Sequence, residues 1–156
     1  MTSDAIPKVI ITSYYDGSTE GFVRSDILNS HFFFKLVAWD SQQDMRIFAL
    51  KKIKMKVYLE IVNLLAESLA SGKWKPIWLF LDDEKRAIAE KLLLNCRFES
   101  DIDFLVLGQN IDGKIKMVIP EQDVVNEVIS LITRNKVDSI EKWLGLFIKV
   151  PETPFF

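Results

Sequence analysis

The sequence predicts an α+β fold, an antiparallel or mixed β-sheet built from hairpins and packed against three to four amphipathic helices. Three observations carry this reading. The first third of the chain alternates β-branched and aromatic runs with turn residues. Later segments change to an apolar period of 3.6 residues. An Asp-Gly pair between two further apolar runs marks one more hairpin.

Lys8 to Tyr14 (KVIITSY) reads as a strand that ends at the Asp16-Gly17 turn, with Glu20 to Arg24 as its hairpin partner. Phe32 to Trp39 (FFFKLVAW) and Asp44 to Leu50 (DMRIFAL) flank the polar Ser41-Gln42-Gln43 and form a second hairpin. From Lys54 to Ser71, Tyr58, Ile61, Val62, Leu65 and Leu69 make one apolar stripe opposite Lys56, Glu60, Asn63 and Glu67. That pattern predicts a helix closed by Gly72. Pro76 to Leu81 (PIWLFL) suits a buried strand.

Asp82 or Asp83 supplies an N-cap oxygen for a helix reaching about Asn95, with Ile88, Ala89, Leu92 and Leu93 inward. Asp103 to Leu107 and Lys114 to Ile119 are strands joined at Asp112-Gly113. Pro120 fits the first turn of a helix in which Val124, Val125, Val128, Ile129 and Ile132 share a face. A short helix over Ser139 to Phe147 precedes the tail Pro151 to Phe156, where two prolines are expected to stop any regular element.

No Pro/Gly/Ser-rich linker or internal repeat interrupts this order. The expectation is one domain over residues 1–156, with 1–7 and 151–156 as terminal extensions. A chain of this length buries roughly 70% of its unfolded surface. It carries 49% apolar and 27% charged residues, so it needs no metal or disulfide staple. Cys96 is the single cysteine, which excludes an internal disulfide. The net charge of −2 offers no excess of Lys and Arg for a nucleic-acid backbone, and no nucleic-acid partner is expected. Met1 to Lys8 lacks a charged stretch leading into an apolar one, and no run of about eighteen apolar residues occurs. Neither a signal peptide nor a membrane partner is expected, and the cytoplasm is the expected compartment.

Recognised chemistry is hard to assemble from these residues, and no catalytic residue, metal ligand or cofactor is assigned. His31 is the one histidine available as a base, and its place before three phenylalanines reads as structural. One His and one Cys cannot complete a tetrahedral zinc site. Cys96 reads as a small buried side chain. The six glycines form neither a G-x-x-x-x-G-K-[ST] nor a G-x-G-x-x-G phosphate cradle. Glu99, Asp101 and Asp103 would share one face of a strand and could hold Mg²⁺ or Ca²⁺, and a solvated edge explains them equally simply. Asp82, Asp83 and Glu84 suit a helix N-terminus. Lys51, Lys52, Lys54 and Lys56 read as a solvated helix entrance.

The N-terminal third is the most informative. Tyr14-Tyr15-Asp16-Gly17, Gly21, Ala38-Trp39-Asp40 and Gln43-Asp44-Met45-Arg46-Ile47-Phe48 set aromatic and charged residues together at turns. This pattern resembles the opening of a group of uncharacterised bacterial proteins that read approximately YYDGP, a glycine, a C-x-x-C pair, then WD and QD-x-R-x-F. The likeness covers residues 14–50. Ser18 stands at the proline position, and Ser25 and Leu28 stand where the two cysteines fall, so a zinc knuckle would lack its ligands here. The resemblance implies a shared fold over that segment and no particular activity.

Tyr14, Tyr15, Asp16, Trp39, Asp40, Asp44 and Arg46 are therefore the candidate binding residues. The structural alternative has Arg46 pairing with one of the three aspartates to lock the hairpins. Three functions follow. The first is a protein-interaction module of immunity or regulatory type, which predicts an exposed apolar patch. The second is a small-ligand binder or enzyme at the N-terminal turns, which predicts an enclosed pocket of about 300 Å³ or more. The third is a homo-oligomer in which Pro154-Phe155-Phe156 docks on a neighbour or on its own core. The partner is accordingly another protein or a second copy of the chain.

Overall fold

The run VIITSY forms β1 (Val9–Tyr14), which pairs antiparallel with β2 (Ser18–Ser25) in the register Val9↔Val23, Ile10↔Phe22 and Ile11↔Gly21. β-Branched and aromatic residues favour this pleated, buried setting, and Ile10, Ile11, Phe22 and Val23 are all buried. The computed structural model describes residues 8–14, 18–64, 82–94, 96, 98, 101–111 and 113–155. The Asp16-Gly17 turn, the Pro76–Leu81 segment and the helix positions beyond Leu64 lie outside them.

Ser25 Oγ accepts the Leu28 N–H at 3.2 Å, closing the turn that leads to β3 (Ser30–Asp40). A hydroxyl hydrogen bond thus closes the turn at the two positions where the resemblance would place cysteines. β3 and β4 (Met45–Ile53) flank a turn over residues 41–44, as the sequence predicts. Ile47 to Leu50 are wholly buried, so the alternation expected of a one-sided strand is absent here.

Helix α1 (Met55–Leu64) buries Tyr58, Ile61 and Val62, the first part of the predicted stripe, and exposes Lys56, Glu60 and Asn63. Helix α2 (Asp83–Leu94) begins where Asp82 Oδ1 accepts the Lys85 N–H at 2.8 Å, which settles the N-cap on Asp82. Its inward face is narrower than predicted. Ala89 is buried and Leu92 and Leu93 are half-buried, but Ile88 is exposed.

β5 (Phe104–Gly108) pairs antiparallel with β4 through Arg46↔Gly108 to Leu50↔Phe104, and with β6 (Lys114–Val118) through Leu105↔Val118 and Leu107↔Lys116. Helix α3 (Gln122–Thr133) has Glu121 as its N-cap residue, so Pro120 precedes the cap and is not in the first turn. Val125, Val128 and Leu131 are its buried residues, a face rotated slightly from the predicted one, with Val124, Ile129 and Ile132 at its margins. Two strand residues, β7 (Asp138–Ser139), run parallel to β3 at Ala38 and Trp39, a pairing too short to show in the sequence.

The segment Ile140–Phe147 is helical as expected, but it is a 3₁₀ helix that buries Ile140, Trp143 and Phe147. The tail departs from expectation. β8 (Thr153–Pro154) pairs antiparallel with Ile115 and Lys114 of β6, and Phe155 is 2% exposed. Proline is tolerated there because an edge position leaves its missing N–H without consequence.

Hydrogen bonding links the strands in the order β1-β2-β3-β4-β5-β6-β8, with β7 beside β3. The architecture is α+β. The chain divides into two compact units, residues 1–33 with 52–97 and residues 34–51 with 98–156, and β3 and β4 each contribute to both. In the first unit Phe22 and Phe33 pack at 5.3 Å between ring centroids, and α1 touches α2. In the second, Phe34 meets Phe48 edge-on at 5.4 Å, and the 3₁₀ helix touches β6. No helix among the described residues is long and apolar enough to cross a membrane.

Candidate functional site

Four of the seven candidate residues stand at the β3–β4 turn. Trp39 and Asp40 end β3, Asp44 closes the turn, and Arg46 enters β4. Asp40 Oδ1 accepts the backbone N–H of Gln42 at 3.0 Å and of Gln43 at 3.5 Å, an Asx turn that holds the chain reversal. Asp44 sits at φ 52°, a left-handed conformation that a short polar side chain tolerates.

Arg46 is 1% exposed, with its guanidinium carbon 4.8 Å from the centre of the Trp39 ring and Nε 3.9 Å from Asp44 Oδ1. A planar, weakly hydrated cation over an indole face is a stable way to bury a charge. These contacts make Arg46 a brace across the β3–β4 hairpin. Tyr14 ends β1 in the other unit, and Tyr15 and Asp16 lie outside the described residues.

His31, Tyr58 and Cys96 belong to the first unit. The His31 ring lies 4.5 Å from the Tyr58 ring at a 46° tilt. Burial lowers its pKa below the ordinary histidine range, Arg24 pushes it the same way and Asp26 opposes them, so the imidazole is neutral at pH 7. Burial likewise drives the Tyr58 phenol far above its normal range, against a smaller pull from Arg24. Cys96 is buried, and its Sγ donates to the Leu92 carbonyl at 3.5 Å.

β5 begins only at Phe104, so Asp101 and Asp103 do not share a strand face. Asp101 lies 3.4 Å from Lys51 Nζ, Glu99 is outside the described residues, and no metal-binding group is found among those described. Lys54 and Lys56 are exposed at the entrance to α1, whereas Lys51 and Lys52 lie on β4, with Lys51 half-buried.

Two features were not singled out from the sequence, and both lie in the second unit. One is an open cleft of about 450 Å³ at the mouth of the β5–β6 hairpin. Its described lining includes Met45, Leu107 and Gly108 together with the polar Asn110, Lys114, Lys116 and Glu152. Lys116 Nζ reaches the Phe147 carbonyl at 3.5 Å, placing the ammonium at the C-terminal end of the 3₁₀ helix. Gly108 has a packing reason: a Cβ there would meet Ile115 Cγ2 at 3.0 Å and the Lys114 carbonyl at 3.2 Å.

The other feature is aliphatic. Leu144 is 40% exposed, Leu146 39% and Ile148 75%, although Ile140, Trp143 and Phe147 of the same segment are buried. The signal was present in IEKWLGLFI, whose apolar positions are too many for one helix face.

A polar cluster holds this segment in place. Asp138 Oδ2 accepts hydrogen bonds from Trp143 Nε1 at 3.0 Å and Lys142 Nζ at 3.1 Å, and Lys142 also pairs with Glu127 on α3. Burial raises the Asp138 carboxyl, but the Lys142 and Trp143 hydrogen bonds outweigh it and hold the pKa below the ordinary carboxylate range. No protein-family model matches this chain, and no curated protein and no solved structure shows significant similarity to it.

Proposed function

We propose that the protein acts by binding another protein, as an immunity or regulatory protein does, through the exposed aliphatic side chains of its C-terminal 3₁₀ segment. The observation that carries the reading is the exposure of Leu144, Leu146 and Ile148 within five residues, on a segment already anchored by Trp143 and Phe147. Single exposed aliphatics are ordinary, whereas three within five residues of one anchored segment offer apolar surface that a partner could cover. At about 1.5–3 kcal/mol for a fully buried Leu or Ile, covering these three exposed portions contributes about 2–5 kcal/mol to association. That is enough to anchor an interface whose remaining contacts supply specificity.

The alternative that placed a small-ligand site at the N-terminal turns loses support from Arg46, whose guanidinium is committed to Trp39 and the interior. The homo-oligomer built on the tail loses support from Phe155, which is buried within its own chain.

The test is affinity capture from extracts of the native host, comparing the wild type with a Leu144→Asp/Ile148→Asp variant of equal thermal stability. A specific protein retained by the wild type and lost from the variant is the expected result. An identical set of captured proteins, or none from either, counts against the proposal.

A further inference from the structure

Resting on that reading, we infer that the cleft at the mouth of the β5–β6 hairpin is the polar half of the same contact surface and takes an acidic side chain from an extended, aliphatic segment of the partner. Its chemistry and shape support this in four steps. The cleft is partly open to solvent and can accept one side of an extended chain. Among its described lining residues Lys114 and Lys116 are cationic and Glu152 is anionic, a balance that favours a carboxylate.

Lys114 and Lys116 are two apart on β6, which sends both side chains to one face of the strand while Ile115 between them is buried on the other. Lys116 is already steered by the Phe147 carbonyl, which leaves exposed Lys114 as the freer donor. The same Lys116 contact sets the cleft beside the end of the 3₁₀ helix, where Ile148 follows Phe147. A carboxylate at the lysines and an aliphatic side chain at Ile148 would therefore come from neighbouring residues of one segment. Gly113, exposed at the β5–β6 turn, presents bare backbone to the cleft, letting a second chain approach closely.

The experiment is amide-detected NMR on the full chain, titrated to about 10 mM, a range that covers millimolar affinity. The probes are the capped peptide acetyl-Leu-Asp-Leu-Glu-amide and its neutral counterpart acetyl-Leu-Asn-Leu-Gln-amide. Acetate alone serves as a third titrant. Saturable shifts at Gly108, Asn110, Gly113 and Lys114 with the acidic peptide are expected, about fivefold weaker with the neutral one and in a Lys114→Gln variant. Lys114 is exposed, so its replacement leaves the fold intact, and an unchanged spectrum away from the cleft verifies that.

Shifts of equal size with both peptides, or none at these residues, overturn the inference. So does an acetate response as strong as that of the acidic peptide, which would make the cleft a simple anion site. Failure here remains separable from failure of the broader reading. If Lys114→Gln still captured the host partner and Leu144→Asp/Ile148→Asp did not, the aliphatic surface would stand and the cleft would fall.

Discussion

Replacing Arg46 probes the interior most sharply, because its side chain is buried to 1% exposure and carries a charge. Arg46→Ala removes two methylenes of stem at about 0.8 kcal/mol each. It also removes a desolvated cation–π contact with Trp39 worth about 2 kcal/mol. The Asp44 pair adds little, because that carboxylate is exposed and 3.9 Å away. Relief of the cost of burying a cation offsets part of the loss, leaving a net destabilisation of about 3 kcal/mol.

At this chain length that corresponds to a fall in Tm of about 6–12 °C. Arg46→Met keeps most of the stem and discards the buried charge, so its cost is about 1 kcal/mol. Urea unfolding of both variants, together with Trp39→Leu and the double variant Arg46→Ala/Trp39→Leu, measures the terms separately. A coupling of about 1–2 kcal/mol between the two sites is expected. If Arg46→Ala cost less than about 1 kcal/mol, or if the coupling were zero, the brace would be refuted and Arg46 would return as a binding residue.

Two shorter predictions concern the ends of the same logic. His31 has a folded-state pKa below its unfolded value, so the unfolded chain binds the proton more readily and stability falls as pH drops from about 6.5 toward the depressed value. Subtracting the Tm change of His31→Asn between pH 7.5 and 5.5 from that of the wild type should leave an acid-side loss, and a zero difference would contradict it. Truncation before Pro151 removes buried Phe155 and should lower stability by about 3–5 kcal/mol without changing the mass seen by light scattering. A halved mass would instead make the tail an intersubunit contact.

What the sequence revealed of this fold depended on how local each cause was. The β3–β4 turn, the Asp82 N-cap and the start of the α1 stripe rest on residues within one or two turns of each other, and they stand where turn chemistry and periodicity place them. β7 and β8 were illegible because two-residue strands carry no period. Their positions are set by partners far along the chain, Asp138 by Ala38 and Thr153 by Ile115. The Ile88 side of α2 was overestimated for a related reason, since an apolar position reports a preference for burial and not whether a neighbour exists to cover it. Trp39, Asp40, Asp44 and Arg46 were correctly grouped in space, but the sequence could not say that the arginine points inward.

That last distinction decides how the candidate surface is read. An arginine, a tryptophan and acidic residues at a turn compose a recognition patch when the guanidinium faces water, and a hairpin brace when it lies under the indole. Here the guanidinium is already buried against the indole, so a partner would reach Arg46 only if Trp39 first moved. Of the large hydrophobics left exposed among the described residues, Leu144, Leu146 and Ile148 lie nearest one another along the chain, ordinary aliphatics that no motif would select. Their segment is anchored by Trp143, which is buried and donates its Nε1 proton to Asp138. A partner meeting this segment pays little ordering entropy, because the 3₁₀ helix is held before contact by its buried residues and by the Lys142 pairs to Asp138 and Glu127.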